Sequence, residues 1–165
     1  MRQLPLPVRL RASSVFASFH AGSNAVVVDQ LSALTPGVRP VVTWLYGSSS
    51  VGKTHLLQAV CARASTHSQS AAYFPLREVA VLDPDLLSGC ETLSFVCLDD
   101  LDAIAGNPAW ERAVFRLYTL LEDHGGRLLV ATQSPPASVP IALKDLASRL
   151  AAGTVLRVQP LSDDE

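Results

Sequence analysis

The chain has 165 residues, of which 48% are hydrophobic and 17% are charged, and its formal net charge is −2. This length and composition suffice for one well-buried domain and are short for two. The nearly balanced charge provides no strongly basic surface, so direct sequence-specific DNA binding is not expected.

The cysteines and the apolar runs indicate a cytoplasmic protein. Three cysteines, Cys61, Cys90 and Cys97, are an odd number, and two of them fall in predicted apolar elements where cysteine behaves as a small hydrophobe. The N-terminus has no continuous apolar signal segment, and no run approaches the roughly 18 apolar residues that span a bilayer. We therefore expect a soluble protein in a reducing compartment, without a membrane partner.

Two prolines in the first 14 residues predict an extended arm, residues 1–14, because proline removes backbone donors and blocks helix formation. The folded domain is predicted to cover residues 15–165. Within it, Ser23 is predicted to cap a helix that runs to about Leu34, before the turn Thr35-Pro36-Gly37.

The remainder of the chain alternates apolar runs with stretches of helical periodicity. The predicted strands are residues 41–46, 71–75, 93–98, 127–132 and 154–158. The predicted helices start at Lys53, at Pro108 and at Leu143, and Gly125-Gly126 and Leu150 end the last two. This alternation predicts an α/β fold, a three-layer αβα sandwich around a five-stranded, mostly parallel sheet.

A glycine-rich loop follows the first predicted strand and matches the pattern G-x-x-x-x-G-K-[ST] in full. Its residues are Gly47, Ser48, Ser49, Ser50, Val51, Gly52, Lys53 and Thr54. Such a loop wraps phosphate with backbone N–H groups, while the lysine reaches the β/γ oxygens and the threonine hydroxyl holds Mg²⁺. His55 follows directly and is grouped with the nucleotide-binding residues. The sequence therefore predicts a P-loop NTPase that binds ADP or ATP with Mg²⁺.

Two acids end the third predicted strand, after the apolar run Phe95–Leu98. In isolation they could be two solvated carboxylates at a strand end. Downstream of a phosphate loop they form a Walker B pattern, in which Asp99 holds the Mg²⁺ site and Asp100 orients or deprotonates the attacking water. Many ATPases of this architecture carry glutamate at the second position, so the shorter Asp100 predicts weak intrinsic hydrolysis.

Two further positions are catalytic candidates. The fourth strand ends at Thr132 and Gln133, either of which could contact the γ-phosphate or the attacking water, or could simply cap the strand. Arg149 lies at the end of the last predicted helix. A guanidinium there could act as an arginine finger, or could only interact with the helix dipole. The histidines and cysteines show no metal-ligand spacing, so no metal other than Mg²⁺ is predicted.

Taken together, these motifs resemble the DnaA/Hda family of AAA+ ATPases, the bacterial replication initiator DnaA and its regulatory homologues. The resemblance covers nearly the whole chain. It is carried by Phe16–Phe19 with Gly22 and Asn24, by Gly47–Thr54, by Phe95–Asp100, by Pro135-Pro136, by Ala147–Leu150 and by Gln159–Asp163.

The resemblance implies roles that the residues alone do not. Gly22 and Asn24 would lie near the adenine, Thr132 would be the sensor 1 residue, and Arg149 would act on ATP held by another subunit. The implied partner is DnaA, whose ATP hydrolysis would be stimulated so that replication does not re-initiate. The chain would then act mainly as an activator of a partner's ATPase, and homo-oligomer formation remains open.

The N-terminal arm resembles the short peptide by which regulators of this family bind the sliding clamp, the beta subunit of DNA polymerase III. Its residues are Gln3, Leu4, Pro5, Leu6 and Pro7. Prolines limit the entropy that the arm loses on binding, and the leucines could fill an apolar groove. An arbitrary proline-rich tail is the alternative.

The family continues into a small helical lid, which we expect to be absent from this chain because the sequence stops at Glu165. Two other functions remain open at this point. The chain could be an autonomous P-loop ATPase or phosphotransferase. It could instead be a DnaA-like initiator or adaptor that uses nucleotide only as a structural ligand.

Overall fold

The computed structural model describes residue 16 and residues 22–49 and 52–160 of the chain. A five-stranded sheet forms its centre, in the order β2-β3-β4-β1-β5, and every strand pair is parallel. The strands are β1 (Val42–Tyr46), β2 (Ala71–Pro75), β3 (Phe95–Asp99), β4 (Arg127–Thr132) and β5 (Thr154–Arg157). The first four are buried along most of their length, as expected for parallel strands covered on both faces.

Helices connect the strands. They are α1 (Ala25–Ser32), α2 (Lys53–Thr66), α3 (Leu76–Val79), α4 (Pro108–His124) and α5 (Lys144–Ala151). Short 3₁₀ turns occupy Gly22–Asn24, Pro84–Leu87, Cys90–Thr92, Leu101–Ala103 and Pro136–Ser138. Helix α4 begins where its sequence predicts, because Asn107 Oδ1 accepts a hydrogen bond of 3.3 Å from the Trp110 amide and proline follows Asn107.

Side chains alternate between the two faces of the sheet, and each face has its own apolar cluster. One cluster contains Trp44 and Leu98 with the apolar sides of α4 and α5. The other contains Leu45 and Cys97 with the apolar sides of α1 and α2. This division confirms the predicted three-layer α/β sandwich.

The predicted bounds of β2 and β4 and the span of α4 agree with the structure, whereas two local predictions are wrong. Ser23 does not cap α1, because Gly22–Asn24 forms a 3₁₀ turn and the helix starts at Ala25. The third strand starts at Phe95 instead of residue 93, because Cys90–Thr92 forms a 3₁₀ turn just before it.

Strand order determines which residues meet. Since β4 lies between β1 and β3, the ends of these three strands lie side by side at one edge of the sheet, which we call the carboxyl edge. The strand starts form the opposite, amino edge. Ligands of open parallel sheets bind at the carboxyl edge, where the phosphate loop and both predicted acids lie. Within the described part of the chain, no helix is long and apolar enough to cross a bilayer.

Candidate nucleotide site at the carboxyl edge

The phosphate loop connects β1 to α2 and needs glycine at its last position. The Gly47 amide donates to the Thr132 carbonyl at 3.2 Å, which ties the start of the loop to β4. Gly52 has φ +97°, a left-handed conformation that glycine adopts at little cost, and α2 begins at the next residue. The N-terminus of α2 therefore faces the loop, as an anion site requires. Ser50 and Val51 lie outside the described residues.

The Lys53 ammonium is buried within this loop. It donates to the carbonyl oxygens of Gly47, at 2.6 Å, and Ser48, at 2.9 Å. Burial lowers the pKa of Lys53, and the carboxylates of Asp99, Asp100 and Asp102 act in the opposite direction. The loop thus holds a cation at the place where the motif predicts phosphate contact.

The Asp99 carboxylate is buried beside the loop. Its Oδ2 accepts hydrogen bonds from Thr54 Oγ1, at 2.5 Å, and from the Tyr73 hydroxyl, at 2.7 Å. Burial, followed by the charge of Asp99, raises the pKa of Tyr73, so this phenol stays a donor. Sequence analysis missed Tyr73, whose only signal is its place on the strand that pairs with β3.

A second cluster surrounds Asp100. This residue has φ +54°, an uncommon conformation for an aspartate, and directs its carboxylate to Arg77 Nε at 3.6 Å. The Arg77 guanidinium also lies 3.9 Å from Asp102 Oδ1. Burial and then Asp99 raise the pKa of Asp100, and Arg77 opposes them. Sequence analysis missed both Arg77 and Asp102, since neither belongs to a contiguous motif.

The end of β4 completes this edge. The Thr132 hydroxyl is buried, accepts a bond of 2.8 Å from the Trp44 indole N–H and donates to the Ser134 carbonyl at 2.6 Å. Its single proton is therefore used within the protein. The Gln133 side chain is exposed, and the backbone N–H of this residue donates to Asp102 Oδ2 at 3.2 Å. Of the two candidates, Gln133 has the side chain that is open to solvent.

Gly22 and Asn24 form the turn before α1. The Asn24 side chain is buried, donates to the Gln159 carbonyl at 2.9 Å and accepts from the Gln159 amide at 2.7 Å. This pair joins the start of α1 to the segment after β5. The proximity of Gly22 and Asn24 to an adenine stays a prediction.

Arg149 lies apart from these residues, at the amino edge. It is exposed in the last turn of α5 and lines a cavity of about 350 Å³. Strand β1 alone separates the two edges by roughly 16 Å, at the usual rise per residue. The structure therefore brings Lys53, Thr54, Asp99 and Asp100 together at the carboxyl edge, whereas Arg149 lies at the opposite, amino edge of the sheet.

The donor set at the carboxyl edge fits Mg²⁺. The Thr54 hydroxyl and the Asp99 carboxylate are hard oxygen ligands already in contact, and Mg²⁺ typically uses one or two carboxylates together with substrate phosphates. Among the described residues, no group of three or more histidine, cysteine or acidic side chains could hold a metal by itself. The predicted arm residues Gln3–Pro7 lie outside the described residues.

The phosphate-loop motif, the acids at the end of β3 and the strand order occur together in one α/β domain with a five-stranded parallel sheet. No protein-family model matches the sequence. Solved structures do match, and they include domain III of the replication initiation protein DnaA from Thermotoga maritima. That match has a TM-score of 0.80 at 19% identity and covers 95% of this chain and 71% of that one.

Two other matches extend the comparison. DnaA bound to AMPPCP and single-stranded DNA matches with a TM-score of 0.78 at 21% identity, over 91% of this chain and 51% of that chain. The DnaC helicase loader matches with a TM-score of 0.64 at 17% identity, over 90% and 98%. The chain spans about half the length of three replication initiation proteins that it matches. At these identities the comparisons establish the fold.

Proposed function

We propose that this chain is a nucleotide-binding regulator of replication initiation, of the Hda type, which stimulates hydrolysis of ATP bound to DnaA. The observation that carries the proposal is the separation of Lys53, at the carboxyl edge, from Arg149, at the amino edge. An arginine on the far edge cannot serve the nucleotide of its own loop. It is exposed, and it is available to a nucleotide held by another protein.

The chain's own nucleotide would bind at the carboxyl edge. The loop amides and Lys53 would hold the phosphates, and Thr54 and Asp99 would hold Mg²⁺, which supplies positive charge to the phosphate oxygens when bound. The structural neighbours include DnaA bound to AMPPCP, which supports the proposal that this chain binds a nucleotide. Whether ADP or ATP is the working ligand is an outcome of the experiment below.

Weak intrinsic hydrolysis is part of the proposal. Asp100 is the candidate for activating water, but its carboxylate faces Arg77 and is one methylene shorter than glutamate. Gln133 is the second candidate for positioning that water, because its side chain is exposed at the same edge. A slow ATPase that holds its nucleotide suits a regulator better than an autonomous enzyme.

Activation would depend on Arg149. A guanidinium is always charged and can hydrogen-bond to phosphate oxygens as charge develops during hydrolysis, which is how arginine fingers accelerate partner NTPases. Buried Leu146 and Leu150 anchor α5 on the sheet, so Arg149 projects from a fixed helix. Residues Gln3–Pro7 would bind the sliding clamp and so bring the regulator to replicating DNA.

The proposal is tested by measuring hydrolysis of ATP prebound to DnaA, with clamp loaded on DNA and with ADP or ATP supplied to the regulator. The full chain should stimulate hydrolysis, and Arg149→Ala should return it to the rate of DnaA alone. Arg116→Ala, which removes an exposed arginine from α4, is the matched control and should stimulate like the wild type. Deletion of residues 3–7 should abolish clamp binding and clamp-dependent stimulation.

Two results would contradict the proposal. Stimulation by Arg149→Ala at the wild-type level would remove the arginine from the mechanism. Rapid ATP turnover by the chain alone, unaffected by DnaA, would favour an autonomous ATPase.

A further inference from the structure

The amino-edge cavity contains a hydrogen-bonded pair on α4 that faces Arg149. We infer that Tyr118 is a positioning residue for Arg149, and that Glu122 sets the direction of the Tyr118 hydroxyl. The inference rests on the proposed function, since it concerns the residue that would act on the partner's ATP. It adds two residues that belong to no sequence motif.

The pair lies one helical turn apart on α4. The Tyr118 hydroxyl donates to Glu122 Oε2 at 2.9 Å, and the same oxygen lies 3.5 Å from Arg39 Nη1. The Tyr118 ring is buried, so the position of its oxygen is set by packing. Tyr118, Glu122, Arg39 and Arg149 all line one cavity.

The Tyr118 hydroxyl oxygen can act toward Arg149 only as a hydrogen-bond acceptor. A hydroxyl has one proton, and here that proton is given to Glu122, which leaves the oxygen lone pairs as acceptors. A guanidinium has only donors, so Arg149, which lines the same cavity, would meet Tyr118 only as a donor. Burial and then Glu122 raise the pKa of Tyr118, and Arg149 lowers it, in agreement with that arrangement.

The charge of Arg149 remains available under this arrangement. Among the described residues, Arg149 forms no ion pair with a carboxylate, whereas Arg39 pairs with Glu122. A neutral acceptor orients the guanidinium without neutralising it, and most of its five N–H donors stay free. A bound anion could therefore replace solvent around this exposed arginine.

Holding Arg149 in one orientation should raise the rate of stimulated hydrolysis more than the affinity of the regulator for DnaA. The reason is that the arginine side chain then need not leave other rotamers before it reaches the reacting phosphate. Tyr118→Phe deletes the hydroxyl and keeps the ring. We expect this change to lower the maximal stimulated hydrolysis of DnaA-bound ATP about tenfold, with the half-saturating regulator concentration unchanged. Glu122→Gln keeps an acceptor for the hydroxyl proton and should stay within about twofold of wild type.

The test measures stimulated hydrolysis against regulator concentration for the full-length chain and its variants, with thermal unfolding of each. Thr119→Ala, at an exposed neighbour on α4, is the control and should match wild type. Glu122→Ala, which removes the acceptor and leaves Tyr118 intact, should lower stimulation about threefold, and it tests the inference independently of Tyr118→Phe. In an Arg149→Ala background, Tyr118→Phe should have no further effect.

The outcomes separate this inference from the proposed function. Loss of stimulation in Arg149→Ala together with wild-type behaviour of Tyr118→Phe and Glu122→Ala would overturn the inference and leave the proposed function standing. A further loss from Tyr118→Phe in the Arg149→Ala background would also overturn it, because the tyrosine would then act independently of Arg149. Wild-type stimulation by Arg149→Ala would overturn both.

Discussion

The Thr54 hydroxyl donates a hydrogen bond of 2.5 Å to Oδ2 of Asp99, across 45 positions of sequence. This bond joins the start of α2, the helix that follows β1, to the end of β3. In the sheet, β4 lies between β1 and β3. The bond brings together the two oxygen ligands that a P-loop protein needs for Mg²⁺.

Replacing Thr54 by valine removes the hydroxyl and preserves the branched shape. Mg²⁺ should strengthen ATP binding to the wild type, and Thr54→Val should lose this Mg²⁺-dependent gain, which we expect to be about tenfold. Calorimetric titration of ATP in Mg²⁺ and in EDTA measures the difference. Thr54→Ser keeps the oxygen and serves as the control. An unchanged Mg²⁺ effect in Thr54→Val would exclude this hydroxyl as a ligand.

Glu111 is a buried acid that holds three backbone segments together. Its carboxylate accepts from the amides of Gly106 at 2.6 Å, Ala142 at 2.9 Å and Leu143 at 2.7 Å, and so joins the start of α4 to the start of α5. Glu111→Ala leaves three amides without their acceptor and should lower the free energy of unfolding by about 3 kcal/mol or more.

Urea denaturation measures this effect, with Glu111→Gln as the graded variant. Glutamine retains one acceptor oxygen and should cost less than alanine. Glu78→Gln, at an exposed glutamate on α3, should be nearly neutral. Equal stability of Glu111→Ala and wild type would show that these amides find other partners.

Gly153 precedes β5 at a close approach to β1. A Cβ at this position would lie 2.8 Å from Val42 Cβ and closer still to the Val42 carbonyl oxygen, and a strand backbone cannot move away easily. Gly153→Ala should therefore lower the free energy of unfolding by about 3 kcal/mol. Gly89→Ala provides the comparison, since Gly89 has φ +90° with nothing within 4 Å of the new atom. It should cost only about 1 kcal/mol. The reverse order, measured by denaturation, would contradict the packing at the start of β1.

The Thr132 hydroxyl connects Trp44 to Ser134 within the protein. Thr132→Val leaves the Trp44 indole N–H and the Ser134 carbonyl without their hydrogen-bond partner. The free energy of unfolding should therefore fall by about 1–3 kcal/mol. ATP affinity should stay within about twofold, since the hydroxyl does not face solvent, and Thr132→Ser should restore stability. A variant with wild-type stability and impaired hydrolysis would instead support the sensor 1 role that the family resemblance implies for Thr132.

Sequence analysis located the residues that belong to short contiguous motifs. Lys53 follows the last glycine of the phosphate-loop motif, and Asp99 follows an uninterrupted apolar run. Both residues could therefore be assigned to the carboxyl edge from the sequence. The two glycines after His124 likewise marked the end of α4, and Gly125 indeed adopts φ +83° there.

Residues whose roles depend on distant partners escaped prediction. Tyr73 reaches Asp99 only because β2 pairs with β3, and Glu111 meets amides 31 and 32 positions away. Ser23 has a good capping side chain, but the start of α1 is set by the bond between Asn24 and Gln159, which are 135 positions apart. Such contacts follow from topology and leave no periodic trace in the sequence.

The nucleotide site at the carboxyl edge is tested by the binding of ATP to the full chain at equilibrium, in the presence of Mg²⁺, compared with two lysine variants. The wild type should bind one nucleotide, and Lys53→Ala should weaken binding at least about 100-fold, because the buried ammonium at the phosphate loop is lost. Lys144→Ala removes the chain's other lysine, an exposed residue at the start of α5, and should bind like the wild type. Unchanged ATP affinity in Lys53→Ala, or no binding by the wild type, would contradict a nucleotide site at the carboxyl edge and the function proposed from it.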